Sequence, residues 1–127
     1  MSDSILISTK KILGIAEDYT VFDVDIVTHI NSVFSTLHQL GLGPVTGFVI
    51  FGPEETWDLF LDNDPRINAV KSYMYLRVRL LFDPPATSYL ITSMTEQARE
   101  MEWRLNVVRE GDLYPAPTPL VIIEEVI

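Results

Sequence analysis

Apolar positions between Ile67 and Val108 recur in two helical registers, separated by Asp83-Pro84-Pro85. In the first stretch Ile67, Val70, Met74, Val78 and Leu81 form one row, with Ala69, Tyr73, Leu76 and Leu80 beside it. Only Asn68, Ser72, Tyr75 and Arg79 make a narrow polar stripe. A helix apolar over most of its circumference is central to a domain. Asp64 as N-cap and Pro65 at the first helical position start it. The paired prolines stop it, since they cannot continue a helix and push Asp83 out of the helical region. Thr87 or Ser88 then caps a second helix. There Met94, Ala98, Met101, Leu105 and Val108 repeat at spacings of four, three, four and three. That is a single seam, suited to an antiparallel partner. Its far side carries Glu96, Arg99, Glu100, Glu102, Trp103, Arg104 and Asn106.

The chain before this pair reads as cover and entry. Ser4 to Leu13 predicts a short helix ended by Gly14, with Lys10 and Lys11 favourably placed in its last turn. Thr20-Val21-Phe22-Asp23 has the form of a capping box, with Tyr19 stapled onto Val24. Ile26, Val27, Ile30, Val33, Phe34, Leu37 and Leu40 then mark an amphipathic helix stopped by Gly41 and Gly43. Gly47-Phe48-Val49-Ile50-Phe51-Gly52 is a β-prone run inside a loop, either a core plug or a pairing strand. Thr56 caps a short helix from Trp57 to about Leu61.

After Gly111 the pattern changes. Tyr114-Pro115-Ala116-Pro117-Thr118-Pro119 favours an extended polyproline course. Leu120, Val121, Ile122, Ile123, Glu124, Glu125, Val126 and Ile127 have strong β propensity. A lone strand is not stable in water. It therefore either returns to its own subunit or adds to a partner's sheet or groove, and the absence of a predicted sheet edge favours the partner. The expected fold is mainly α: a small helical bundle on a central antiparallel helical hairpin, with one β-prone loop and an extended C-terminal arm. Residues 1–110 form the helical domain and 111–127 the arm.

Composition narrows the function classes. The 127 residues are 47% apolar and 21% charged, ordinary for one globular domain. There is no cysteine, hence no disulfide framework or thiolate metal site. No apolar run approaches a membrane span, and the acidic start lacks the form of a secretory signal. Eighteen acids against nine bases give a net charge of −9, which repels a polyphosphate. Basic-patch nucleic-acid binding is thereby disfavoured, while a wall past which DNA slides is not.

No catalytic constellation emerges. Asp25 and His29 share a helical face and could supply half a metal site, but such a pair is more often a surface hydrogen bond. Gly41-Leu42-Gly43 follows a helix and lacks a third glycine, so it is no dinucleotide fingerprint. HExxH, GxSxG and a cysteine nucleophile are all lacking. No enzyme, cofactor or metal is expected.

Interface chemistry is more visible. His29, Ser32, Ser35 and Thr36 belong to a helix face that is polar yet uncharged, cheaper to bury against protein than a Lys/Glu face. Trp103 points away from the apolar seam between Arg99 and Arg104, a hot-spot composition unless the N-terminal helix or long loop covers it. Arg77 falls in an apolar row and needs a carboxylate from its own or a neighbouring subunit. Phe48 and Phe51 complete the partner-facing candidates. On the arm they are Pro115, Pro117, Pro119, Leu120, Val121, Ile122, Ile123, Val126 and Ile127.

Several stretches together resemble the head–tail connector (adaptor) proteins of long-tailed bacteriophages. They are Ser8-Thr9-Lys10-Lys11-Ile12-Leu13-Gly14, Tyr19-Thr20-Val21-Phe22-Asp23, Thr56-Trp57 and Glu102-Trp103-Arg104-Leu105, with the most specific being Leu76-Arg77-Val78-Arg79-Leu80-Leu81-Phe82-Asp83-Pro84-Pro85. The resemblance covers residues 5 to 110. It implies a non-catalytic helical subunit of a dodecameric ring under the portal protein, extending the DNA channel and meeting a stopper or tail-terminator protein. The site would be the virion neck, after assembly in host cytoplasm. The alternative is a small monomeric or dimeric helical protein-binding module with an intramolecular C-terminal strand.

Overall fold

The computed structural model describes residues 4–62 and 64–113, with side chains of the last helix described to Asn106. It is mainly helical: α1 (Ile5–Leu13), α2 (Asp23–Gln39), α3 (Trp57–Phe60), α4 (Ile67–Phe82) and α5 (Ser88–Leu113). Among the described residues no strand forms, and the single β-bridge pairs Ser4 with Thr56. Pro115, Pro117, Pro119 and the segment Leu120 to Ile127 lie outside the described residues.

α4 is the hub. It packs on α5, α2 and α1. Val70, Tyr73, Met74, Leu76 and Val78 are buried, whereas Ala69 and Leu81 of the expected rows are exposed. α5 lays its seam on α4: Ala98 and Leu105 are buried, and Met94 and Met101 pack against the core. Glu102, expected on the far side, is half-buried and accepts a 2.6 Å hydrogen bond from the Tyr73 hydroxyl. Burial, then this bonded carboxylate, raises the Tyr73 pKa well above its ordinary value.

Helix ends follow backbone chemistry. At Gly14 (φ 82°) the Ile15 N–H donates to Lys10 O at 2.8 Å and the Gly14 N–H to Lys11 O at 3.1 Å. The same pair of bonds closes α2, from Leu42 to Leu37 and from Gly41 to His38. Both are Schellman closures, which satisfy carbonyls a helix end would leave open. Ser4 is the cap of α1, its hydroxyl accepting from the Ile7 N–H. Thr87 caps α5 by accepting from the Leu90 N–H.

Three expected starts differ. The capping box at Thr20–Asp23 does not form, because the Asp23 carboxylate turns to Lys10 of α1. Tyr19 packs on the Phe22 ring at 5.8 Å and leaves Val24 78% exposed. α4 begins two residues past the expected Pro65: the Asp64 carboxylate accepts from the Arg66 N–H and binds its guanidinium (Nη2–Oδ2 2.6 Å). These bonds, the side-chain one foremost, hold the Asp64 carboxyl below its ordinary value. Thr56 stands at the start of α3 without a side-chain cap bond.

The loop between α2 and α3 is pinned rather than paired. The Asn31 amide donates to Ile50 O at 2.9 Å and accepts from the Ile50 N–H at 2.8 Å, doing the work of a neighbouring strand. Phe48 and Ile50 face inward, and Phe48 joins Phe34 and Phe60 in an aromatic cluster with ring centroids 4.7–5.5 Å apart. Phe51 is not a core plug: alternation along the extended run turns it outward, 84% exposed.

Candidate functional site

α5 and α2 present two outer flanks of different chemistry. On the α5 flank Trp103 is 65% exposed, so neither α1 nor the loop covers it. Arg99 is exposed nearby, and Arg104 Nη2 sits 3.3 Å from Glu100 Oε1. Tyr89, Leu90 and Ile91, in the first turn of α5, are also exposed.

The α2 flank is polar and uncharged over its middle. Ser32 and Ser35 are exposed and Thr36 is half-buried. Ser35 and His38 line a shallow cleft with Phe48 and Val49. Beside the start of α2, Val24, Val27 and Phe51 line a second cleft. His29 departs from the expected outer face: it is half-buried with its ring 6.3 Å from Phe82, which also packs edge-on to Phe22. Among the described residues no three His, Asp or Glu side chains cluster as a metal site.

The structure thus divides the sequence-derived candidates. It brings Trp103, Arg99 and Arg104 together on one flank and Ser32, Ser35 and Thr36 on the other. Phe51 sits with Val24, and Phe48 belongs to the core. Arg77 joins neither flank; it is half-buried, and among the described residues no carboxylate reaches it within ion-pair distance. Arg79 is not simply solvated: its Nε donates to Asp83 O at 2.6 Å and its Nη1 to the Tyr75 hydroxyl at 3.3 Å, closing the end of α4.

Sequence reasoning passed over Tyr89, Leu90 and Ile91, whose signal was three successive bulky residues in a helix with a one-sided seam. It also passed over the burial of Lys10, which nothing local announces. Among the described residues no helix is long and apolar enough to cross a membrane. A protein-family model described as phage connector protein matches residues 5–112. No match was found among curated proteins or among solved structures.

Proposed function

Since the chain belongs to the phage connector protein family, a family of structural virion proteins, we propose that it forms a closed ring at the neck. The ring joins the portal protein of the capsid to the next neck protein, stopper or tail terminator, and continues the DNA channel. The observation that carries this reading is the pair of unlike exposed flanks, one on α5 and one on α2. A ring closes through a heterologous contact, in which two different patches of each subunit meet head to tail. Trp103 with its arginines and the Tyr89–Ile91 turn supply one such patch; the small uncharged α2 face with Val24 and Phe51 supplies the other. Large aromatic and arginine side chains carry most of an interface's energy, and small polar groups accept burial cheaply.

The acidic balance suits the channel. A net charge of −9 gives DNA no sequence-independent hold and leaves it free to pass. Assembly in the host cytoplasm and final location in the neck complete the proposal.

Native mass spectrometry of the full-length protein, alone and with portal, tests it. A closed multimer that joins the portal is expected. Monomers or dimers that ignore the portal would replace the ring by a small helical binding module.

A further inference from the structure

A groove of about 350 Å³ lies between the end of α1 and the facing sides of α4 and α5. Ile12, Leu76 and Met101 supply its apolar lining, and Lys71, Tyr75 and Gln97 most of its polar lining. No carboxylate lines it, in a chain with twice as many acids as bases. The clefts beside the start of α2 and at the end of α1 carry Asp23 and Glu17, and the cleft of Ser35 and His38, which also lacks a carboxylate, has no lysine or arginine. Lys71 stands over the Trp57 ring, its Nζ 5.8 Å from the centroid, and no described carboxylate reaches it. The Tyr75 hydroxyl accepts from Arg79, which leaves its own proton to donate. Aliphatic contact with one cation and several donors calls for an apolar segment that carries carboxylates.

The chain contains such a segment outside the described residues. In Leu120 to Ile127 an extended backbone puts Val121, Ile123 and Glu125 on one side and Leu120, Ile122, Glu124 and Val126 on the other. Either side offers aliphatics followed by a carboxylate. The stretch Tyr114 to Pro119 decides whose groove receives it. Alternating prolines favour a stiff spacer of about 19 Å, so a reversal of direction would have to be completed in the step from Leu113 to Tyr114. The groove of the same chain lies back along α5, with Met101 about 18 Å of helix before Leu113, so reaching it requires that reversal. We propose that residues Leu120 to Ile127 of one copy dock in the α1–α4–α5 groove of the adjacent copy, their glutamates meeting Lys71 and the Tyr75 hydroxyl. The inference rests on the ring reading and assigns the arm to the neighbouring subunit.

The chain has no cysteine, so introduced pairs report contact cleanly. Full-length Gln97→Cys and full-length Ile123→Cys are mixed, assembled with portal and oxidised, with Asp18→Cys, exposed and outside both flanks and the groove, replacing Gln97→Cys as background. Ring formation is read in parallel by native mass spectrometry. Interchain crosslinking of the Gln97/Ile123 pair roughly tenfold above background is expected, the effective-concentration gain of a seated segment. Adding Lys71→Glu lowers it roughly fivefold, and Glu124→Lys with Glu125→Lys on the arm restores it.

Rings that assemble with crosslinking at background overturn the groove assignment and leave the ring reading standing. Crosslinking confined within single chains carrying both cysteines, or capture of the portal by Gln97→Cys, overturns the assignment to a neighbour. Absence of any multimer overturns the ring reading itself.

Discussion

Lys10 Nζ lies 2.8 Å from Asp23 Oδ1, and Lys10 is only 2% exposed. The ammonium also donates to Glu17 O at 3.0 Å. Asp23 Oδ1 is itself buried and takes no hydrogen bond of good geometry, so charge holds the pair. One lysine therefore ties the end of α1, the following loop and the start of α2 into a single corner. Removing one partner of a buried pair leaves an uncompensated charge, whereas replacing both by apolar groups can be neutral. Asp23→Asn should cost about 3 kcal/mol in urea unfolding, and Lys10→Met with Asp23→Leu should recover most of it. Equal losses in the single and the double variant would show that the corner is held by packing alone.

Gly43 and Gly47 separate two costs that are usually mixed. Both have positive φ, 84° and 92°, but a Cβ on Gly43 would strike the Phe60 ring while one on Gly47 would meet nothing. Gly47→Ala should cost about 1 kcal/mol, the strain of the left-handed region. Gly43→Ala adds displacement of a ring packed against Phe34 and Phe48, for a total of about 3 kcal/mol. Thermal unfolding of the two variants side by side measures the difference, and equal shifts in Tm would rule out the steric contribution.

Where an apolar period coincided with a stop signal, the sequence was legible: Gly14 and Gly41 end their helices by identical backbone bonds, and Thr87 starts α5 as expected. What could not be read locally was competition from a distant residue. Asp23 has the spacing of a capping acid, yet Lys10 on another helix draws its carboxylate away. Glu102 sits on what the seam marks as the outer side, and the Tyr73 hydroxyl turns it inward. The β-prone run alternates as a strand does, so Phe48 and Phe51 had to part, but periodicity alone does not say which one faces the core. The flanks follow the same rule. Trp103 could be placed off the seam by counting, whereas the Lys71 groove needed three helices brought together in space.

The Tyr73–Glu102 bond gives the fold an alkaline limb. Burial and the bonded carboxylate raise the phenol's pKa, so the folded state keeps its proton where the unfolded chain, at about 10, gives it up. The stabilisation is complete below pH 10 and is lost as pH rises beyond it. Tyr73→Phe should cost about 1.5 kcal/mol at pH 8 by leaving Glu102 short of a donor. The gap between wild type and variant should then narrow above pH 10. Urea titrations between pH 8 and 11 follow this directly, and a constant gap would exclude the phenol as the source of the limb.

Trp103 offers the cleanest separation of assembly from folding. Its ring is exposed in the subunit, so Trp103→Ala should move monomer stability by no more than about 0.5 kcal/mol. In a head-to-tail ring the same ring is buried at every contact, and a truncated hot spot costs about 2 kcal/mol or more per interface. Because each closed ring repeats that loss at every subunit, a change invisible in the monomer should abolish closure at concentrations where wild type assembles. Ser35→Arg on the other flank should fail in the same way, by burying a charge on a face that has none. Mixing the two variants restores at most the one contact that joins an intact α5 flank to an intact α2 flank, so it should yield dimers but no closed rings. Circular dichroism at wild-type strength with loss of the multimer in native mass spectrometry would place both residues at the subunit contact. Rings formed by either variant at wild-type concentration would remove its flank from the interface.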